Sequence, residues 1–244
     1  MKTALVCIAK NEEDYLDEWV NYHLKLGFDD IHIYQNNWRW ENPHPSAKMH
    51  VSDGYGVQTK TYNQFANHAY KLYDWAAFFD VDEFLVLKKH KNVKEFIREY
   101  EFFPAISIHW VFFGDNGHKT IDSDRSVLKR FTKRSKVSKG HFKTIVKLNV
   151  HTRMEIHNHE GFSVNTNCSL IDQLDFAGDR PIDIAQLNHY HVKTIEEYKL
   201  KIARGRASRE KNAPDYYKPI TEFDKHNFNE VEDLLAYNFL YGTK

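Results

Sequence analysis

The 244-residue chain has few cysteines, no long apolar run and no excess charge of either sign. Cys7 and Cys168 are too few for a disulfide framework or a cysteine-rich zinc module. The longest apolar run, residues 4–9, is far too short to cross a bilayer. Charged residues follow this run closely, so we expect no signal peptide. These absences favour a protein of a reducing compartment, and we expect a cytoplasmic one.

The charge balance also limits the class of partner. Basic and acidic side chains number 34 each, which argues against a general nucleic-acid binder. Apolar residues make up 41% of the chain and aromatic residues 15%, which is enough for a folded core. Histidine is abundant, with 15 residues. Imidazole is a common metal ligand, so some of these histidines are candidates for that role.

The first 35 residues predict a strand, a helix and a second strand. Residues 3–9 form a continuous apolar run, which is typical of a strand buried on both faces, and residues 31–35 form the second strand. Between them, apolar residues recur at helical spacing, with Asn11 expected to cap the helix and Gly27 to end it. This βαβ unit implies a parallel sheet.

The rest of the chain continues the alternation of strands and helices. Residues 36–56 are rich in loop-forming side chains and are predicted as a loop. Further strands are predicted at 75–79, 105–110, 142–149 and 184–190, and further helices at 61–72, 92–100, 194–206 and around 228–240. No linker is long or biased enough to divide the chain, so we predict a single domain.

Two aspartates separated by one residue follow the predicted strand at 75–79. Apolar residues flank Asp80, Asp82 and Glu83 on both sides, which puts their carboxylates at the mouth of an apolar core. Ligands of open α/β sheets bind at the carboxyl edge of the strands. Three acids in four positions repel one another unless a cation lies between them, and Mg²⁺ and Mn²⁺ prefer carboxylate oxygens. The segment therefore predicts a divalent-metal site.

Two metal-dependent reactions suit this motif. In a phosphatase-like hydrolase, Asp80 would attack a phosphoryl group as a nucleophile. In a glycosyltransferase, the acids would hold a metal on the diphosphate of a nucleotide sugar. The hydrolase motif normally lies on the first strand, whereas Asp80 comes after a complete βαβ unit, so its position favours glycosyl transfer. A non-catalytic glycan-binding protein is a third alternative.

Five segments of the sequence carry a family resemblance. They are CIAKNEEDYLDEWVNYHLKLGFDDIHIYQNN (7–37), DWAAFFDVDEFLVL (74–87), IHWVFFGDNGH (108–118), HFKTIVK (141–147) and LNHYHVKTIEEYKLKIARGR (187–206). In this order they resemble the blocks of GT-A glycosyltransferases, in the family 2-like and family 92-like group. The resemblance implies a Rossmann-like, three-layer GT-A domain with a mainly parallel central sheet. It also implies a nucleotide-sugar donor, usually a UDP-sugar, a divalent metal and inversion at the anomeric carbon.

The resemblance assigns roles to individual residues. Asp80, Asp82 and His189 would hold the metal, and the histidine nitrogen would favour Mn²⁺ over Mg²⁺. Lys143 and Lys193 would meet the diphosphate. The nucleotide would be bound by Ala9, Lys10, Asn11 and Glu12. After the second strand the chain departs from the family pattern, with Gln-Asn-Asn-Trp at 35–38 in place of an acidic motif. There the amide of Asn36 could bind the base, and Trp38 or Trp40 could stack on it. Further site candidates are Glu83, His157, Glu160 and Arg204.

An inverting transfer needs a base for the acceptor hydroxyl. Asp115 is the leading candidate, because Gly114 and Gly117 allow a turn that points its side chain into the cleft. Alternatively, the side chain of Asp115 closes an Asx turn. Glu160 and Asp172 are the next candidates for the base.

The domain boundaries and partners follow from the same resemblance. We predict one glycosyltransferase domain over 1–244, with a nucleotide-sugar half at about 1–115, an acceptor half at 116–205 and a C-terminal helical extension at 206–244. The acceptor would be a glycan or a lipid-linked glycan, and nucleic acid is not expected. Residues 125–154 contain ten Lys or Arg and no acid, which predicts a basic surface that an anionic membrane could contact.

Overall fold

The structure is a computed structural model that describes residues 1–138, 140–171 and 180–242. Its strands are β1 (Thr3–Ala9), β2 (Asp30–Gln35), β3 (Ala47–Val51), β4 (Trp75–Phe78), β5 (Glu83–Leu87), β6 (Ala105–Phe112), β7 (Lys133–Arg134), β8 (Phe142–Lys147), β9 (Ser163–Val164), β10 (Leu170–Ile171), β11 (Ala185–His189) and β12 (Val231–Glu232). Its helices are α1 (Glu13–Leu26), α2 (Gln58–Ala69), α3 (Val93–Arg98), α4 (Val127–Arg130), α5 (Ile195–Arg204), α6 (Glu222–His226) and α7 (Leu235–Tyr241).

One large mixed sheet forms the centre of the molecule. Its strands lie in the order β10-β9-β6-β8-β4-β1-β2-β3, and β11 pairs with β6 and β5. The part built from β4, β1, β2 and β3 is parallel throughout. Strand β8 runs antiparallel to both of its neighbours, β4 and β6. The predicted α/β fold with a mainly parallel central sheet is therefore confirmed.

Alternate side chains of β1 explain why helices cover both faces of the sheet. Leu5 and Cys7 belong to a core cluster that includes Leu16 of α1. Val6 and Ile8 belong to a second cluster that includes side chains of α2. A strand buried on both faces needs apolar side chains at every position, which accounts for the continuous apolar run.

Three local predictions were wrong. Asn11 does not cap α1: its backbone is left-handed, with φ of 52°, and Glu12 occupies the N-cap position without a side-chain cap hydrogen bond. Residues 36–56 are not all loop, because β3 extends the sheet through parallel backbone pairing with β2, although its side chains are only partly buried or exposed. The C-terminal helix begins at Leu235 rather than near 228, because β12 pairs with β7 just before it.

The two predicted halves of the domain share one sheet. Strand β8, which comes from the predicted acceptor half, lies between β4 and β6 of the predicted nucleotide half. The C-terminal extension contains α6, β12 and α7, and α7 contacts both α1 and β5. The single-domain organisation itself stays a prediction. Among the described helices, none combines the length and the apolar character needed to cross a membrane.

The buried His23 makes the fold sensitive to acid. Its side chain is fully buried, its Nδ1 lies 2.8 Å from Trp19 O, and its ring stacks on Phe84. Burial lowers the pKa of His23 to about 3, from an ordinary value of 6.5. Between these two pH values the unfolded chain binds more protons than the folded one, so the free energy of unfolding falls as pH decreases.

We expect His23 to account for roughly 2 kcal/mol of the unfolding free energy lost between pH 7 and pH 5. His23→Phe should lack this contribution, and urea titrations at the two pH values measure the difference. His68→Phe is the matched control, because His68 Nδ1 makes the same contact with the carbonyl four residues earlier, at 2.7 Å, on an exposed surface. Equal pH dependence in His23→Phe and the wild type would contradict the assignment.

Candidate functional site

A cavity of about 410 Å³ lies at the carboxyl edge of the sheet. Side chains that follow β1 and β4 form one wall, the ends of β6 and β11 form another, and the chain from α5 to α6 closes the site. Its charged and imidazole side chains are Lys10, Glu12, Asp80, Asp82, His141, His157, His189, His191, Lys201, Arg204, Arg206, Lys218, Glu222 and His226. The acidic motif therefore lies where the strand order predicts a ligand site.

Asp80 is held by side chains from β8 and α2. Lys143 Nζ donates to Asp80 Oδ2 at 3.1 Å and lies 3.8 Å from Glu83 Oε2, while Gln58 Nε2 donates to Asp80 Oδ1 at 3.3 Å. The side chain of Lys143 has no exposed surface and does not line the cavity. Lys143 thus neutralises Asp80 and lies close to Glu83, and its position does not support the predicted contact with a diphosphate.

Asp82 lies among two histidines and a lysine. Its Oδ1 is 3.6 Å from His189 Nε2, and its Oδ2 accepts a hydrogen bond from Lys201 Nζ at 2.5 Å. Lys201 Nζ also donates to His191 O at 3.0 Å and lies 3.3 Å from His191 Nδ1. Ligand atoms of Asp82, His189 and His191 lie within 4.8 Å of one another. In the described part of the chain, these three residues form the group that could hold a metal ion.

Burial and charge give these three side chains the protonation states that a metal requires. Burial raises the pKa of Asp82, but Lys201 and His189 hold that pKa well below its ordinary value. Burial lowers the pKa of His189 to about 4 and moves the pKa of His191 well below its ordinary value. At neutral pH the group therefore presents an ionised carboxylate and two neutral imidazoles, the forms that bind metal.

The donor set fits a divalent transition metal. His189 Nδ1 is buried and has no hydrogen-bond partner among the described residues. One carboxylate oxygen and two imidazole nitrogens suit Mn²⁺ better than Mg²⁺. The structure brings Asp82 and His189 together as the sequence predicted, but His191 rather than Asp80 is the third member of the group.

The predicted base lies outside this cavity. Asp115 Oδ1 accepts hydrogen bonds from Gly117 N at 2.9 Å and from Asn229 Nδ2 at 3.2 Å, so its side chain closes an Asx turn and contacts the segment after α6. This position does not support a role as base. Glu160 is exposed and does not line the cavity, and Asp172 lies outside the described residues.

Two of the predicted nucleotide contacts line the cavity. Lys10 Nζ donates to Arg204 O at 2.6 Å and to Tyr216 Oη at 3.3 Å. Glu12 forms an ion pair with Arg204, which also donates to Asn11 O at 3.0 Å. Arg204 therefore fixes the loop after β1 to the end of α5, and its charge is already paired.

The other predicted contacts do not line the cavity. Ala9 is buried, and Asn36 Nδ2 donates to backbone carbonyls of residues 52 and 54. Lys193 Nζ lies 4.4 Å from the centre of the Tyr15 ring. Trp38 and Trp40 pack against the main core cluster. Of the further candidates, His157 and Arg204 line the cavity.

The basic segment 125–154 does not form one continuous surface. Arg130 makes a buried bidentate ion pair with Glu197, at 2.8 and 3.0 Å. Arg134 Nε donates at 2.6 Å to Asp233, whose side chain is 3% exposed. With Lys143 also buried, several of these charges neutralise acids inside the protein instead of facing a membrane.

Sequence reasoning missed several cavity residues. Lys201 was placed on the predicted helix at 194–206, but helical spacing alone does not show that it reaches Asp82. Lys218 and Tyr216 lie between two prolines, where no periodicity indicates a role. No pattern in this segment predicts that it forms a wall of the site.

The fold and the site define an α/β protein with a charged ligand cavity at the carboxyl edge of its sheet. The family model for glycosyltransferase family 92 matches residues 36–231, which is most of the chain. The chain therefore belongs to glycosyltransferase family 92 and is a glycosyltransferase enzyme.

Solved structures with some similarity are known from three bacteria. HddC from Yersinia pseudotuberculosis is 14% identical with a TM-score of 0.31, over 59% of this chain and 73% of HddC. A protein described as a nucleotide-diphospho-sugar transferase from Desulfovibrio desulfuricans G20 is 14% identical with a TM-score of 0.32, over 61% and 64%. One described as a glucose-1-phosphate thymidylyltransferase from Bacillus anthracis is 10% identical with a TM-score of 0.34, over 59% and 71%. No curated protein matches the chain.

Proposed function

We propose that the chain transfers a sugar, with inversion, from a UDP-sugar to a hydroxyl group of a glycan or lipid-linked glycan, with the help of a divalent metal. The observation that best supports this is the grouping of Asp82, His189 and His191 at the carboxyl edge of the sheet in a family 92 chain. The choice of UDP and the inversion follow from the resemblance of the sequence blocks.

The side chains of the cavity have separate roles in the proposed reaction. A divalent metal held by Asp82, His189 and His191 would supply Lewis-acid stabilisation to the leaving diphosphate. Asp80 keeps a third of its side chain exposed while Lys143 and Gln58 fix both of its oxygens. That fixed carboxylate can accept a hydrogen bond from a donor hydroxyl.

The hydrogen bonds that Asp80 accepts argue against the hydrolase alternative. A nucleophilic aspartate attacks phosphorus through one carboxylate oxygen, and a hydrogen bond to that oxygen lowers its nucleophilicity. Asp80 Oδ2 accepts from a buried lysine and Oδ1 accepts from an amide. The geometry therefore favours a binding role for Asp80.

The experiment that tests the function is a donor panel. The protein would be incubated with several UDP-sugars and GDP-sugars, each with Mn²⁺, Mg²⁺ or EDTA, and nucleotide release measured with and without oligosaccharide acceptors. We expect turnover of a UDP-sugar with Mn²⁺, weaker turnover with Mg²⁺ and none with EDTA. Hydrolysis of p-nitrophenyl phosphate in place of sugar transfer would overturn the proposal.

If His189 is a metal ligand, its removal should weaken metal binding in the absence of substrate. His189→Ala should weaken Mn²⁺ binding by about tenfold or more, since a neutral nitrogen ligand is lost. Electron paramagnetic resonance of free Mn²⁺ measures this without any substrate. His141→Ala is the control, because His141 lines the same cavity outside the metal group. Equal Mn²⁺ affinity in His189→Ala and the wild type would exclude His189 as a ligand.

A further inference from the structure

We infer that Lys218 and Lys10 form a diphosphate-binding subsite in the cavity, and that this subsite holds a diphosphate without a metal. The inference rests on the proposed function, because it assigns the contacts of the anionic part of the ligand at the same site. It concerns residues at the two ends of the chain, one after β1 and one between α5 and α6.

The acids that line the cavity are all paired with basic side chains of the protein. The pairs are Asp80 with Lys143 at 3.1 Å, Asp82 with Lys201 at 2.5 Å, Glu222 with Lys225 at 2.5 Å, and Glu12 with Arg204. No lining carboxylate is therefore left to balance the remaining cations of the cavity wall.

Three lining cations remain after this pairing. Arg206 has a partner in Asp215, at 3.3 Å. Among the described residues, Lys10 Nζ donates to two neutral oxygens, the backbone carbonyl of Arg204 and the hydroxyl of Tyr216. Lys218 Nζ lies 3.3 Å from His191 Nε2. Neither lysine has a salt-bridge partner within 4.0 Å in the ranges that the structure describes, so both are available to bind an external anion.

Tyr216 contacts Lys10 and lies near Lys218 in the sequence. A Cβ on Gly205 would lie 2.2 Å from the Tyr216 ring, so the glycine lets this ring pack directly on the end of α5. The Tyr216 hydroxyl accepts from Lys10, and Lys218 follows two residues later. Tyr216 is 3% exposed, its hydroxyl fixes Lys10, and both lysines line the same cavity as its ring.

The ligand that fits two ammonium groups beside the metal group is a diphosphate. Lysine binds phosphate as a compact point charge and needs no planar, bidentate partner. The contact of Lys218 with His191 places the subsite next to Asp82 and His189. A nucleoside diphosphate and a lipid diphosphate share this chemistry, and the experiment distinguishes them.

Calorimetry in EDTA tests the subsite directly. UDP, inorganic pyrophosphate and farnesyl diphosphate would each be titrated into the wild type, Lys218→Met and Lys10→Met. The control is Lys199→Met, an exposed position on α5. We expect UDP and pyrophosphate to bind the wild type and Lys199→Met, and the affinity of Lys218→Met to fall by roughly tenfold or more. Lys10→Met should also bind UDP and pyrophosphate more weakly than the wild type does.

Each outcome has one meaning. If Lys218→Met binds UDP and pyrophosphate more weakly than the wild type, the subsite is supported and its ligand is the diphosphate of the donor. If only the affinity for farnesyl diphosphate falls, the subsite is supported and its ligand is the diphosphate of a lipid-linked acceptor. Equal affinities in Lys218→Met and Lys199→Met, or no binding of any diphosphate without metal, overturn the inference. Sugar transfer is measured separately with Mn²⁺. If diphosphate binding in EDTA depends on Lys218 but no sugar transfer is detected with Mn²⁺, the proposed function is contradicted and the subsite is supported.

Discussion

Asp82→Asn should lower the rate of sugar transfer by roughly 10²–10³-fold, while the protein still folds. Asparagine keeps the size of the side chain but removes the charge that faces His189 and Lys201. The substituted site would hold a divalent metal poorly, and the leaving diphosphate would lose its stabilisation. Donor turnover with saturating Mn²⁺ measures the loss, and circular dichroism checks the fold.

Asp17→Asn is the matched control for this change. Asp17 is exposed on α1 and undergoes the same chemical substitution away from the cavity. We expect wild-type turnover and Mn²⁺ affinity from that variant. If Asp82→Asn kept near-normal transfer in the presence of EDTA, neither Asp82 nor a bound metal would be needed, and the proposed mechanism would fail.

Lys143→Met should destabilise the protein by about 3–5 kcal/mol, the cost of removing one partner of a buried ion pair. Lys143 is fully buried, and the change would leave the carboxylate of Asp80 without its cation. Burial already raises the pKa of Glu83 well above its ordinary value, even with Lys143 present. Urea denaturation at pH 7 measures the loss.

Two further variants separate stability from ligand binding at Lys143. Lys136→Met removes a lysine from the exposed part of the same basic segment and should leave stability unchanged. The double variant Asp80→Asn/Lys143→Met should regain part of the lost stability, because one unpaired acid is removed with its partner. A fully stable Lys143→Met protein with weakened donor binding would instead restore the role that the sequence suggested for this lysine.

The sequence by itself determined most of the secondary structure and the position of the acidic motif. The apolar runs at 3–9 and 75–79 predict strands because a buried strand must be apolar on both faces, and both strands are found. Asp80 and Asp82 come directly after such a strand, which is sufficient to place them at the carboxyl edge of the sheet. These inferences use only local periodicity and the burial that it implies.

The tertiary structure alone decided which charges meet. Lys143 reaches Asp80 because β8 lies beside β4 in the sheet, and strand order is not encoded in the pattern of either strand. Lys201 contacts Asp82 across 119 residues of sequence. Asp115 lies in a flexible-looking Gly-Asp-Asn-Gly sequence, yet contact with Asn229 determines its orientation. Local sequence can propose ionisable candidates, but their pairing depends on long-range packing, and that packing selects Asp82, His189 and His191 for the site.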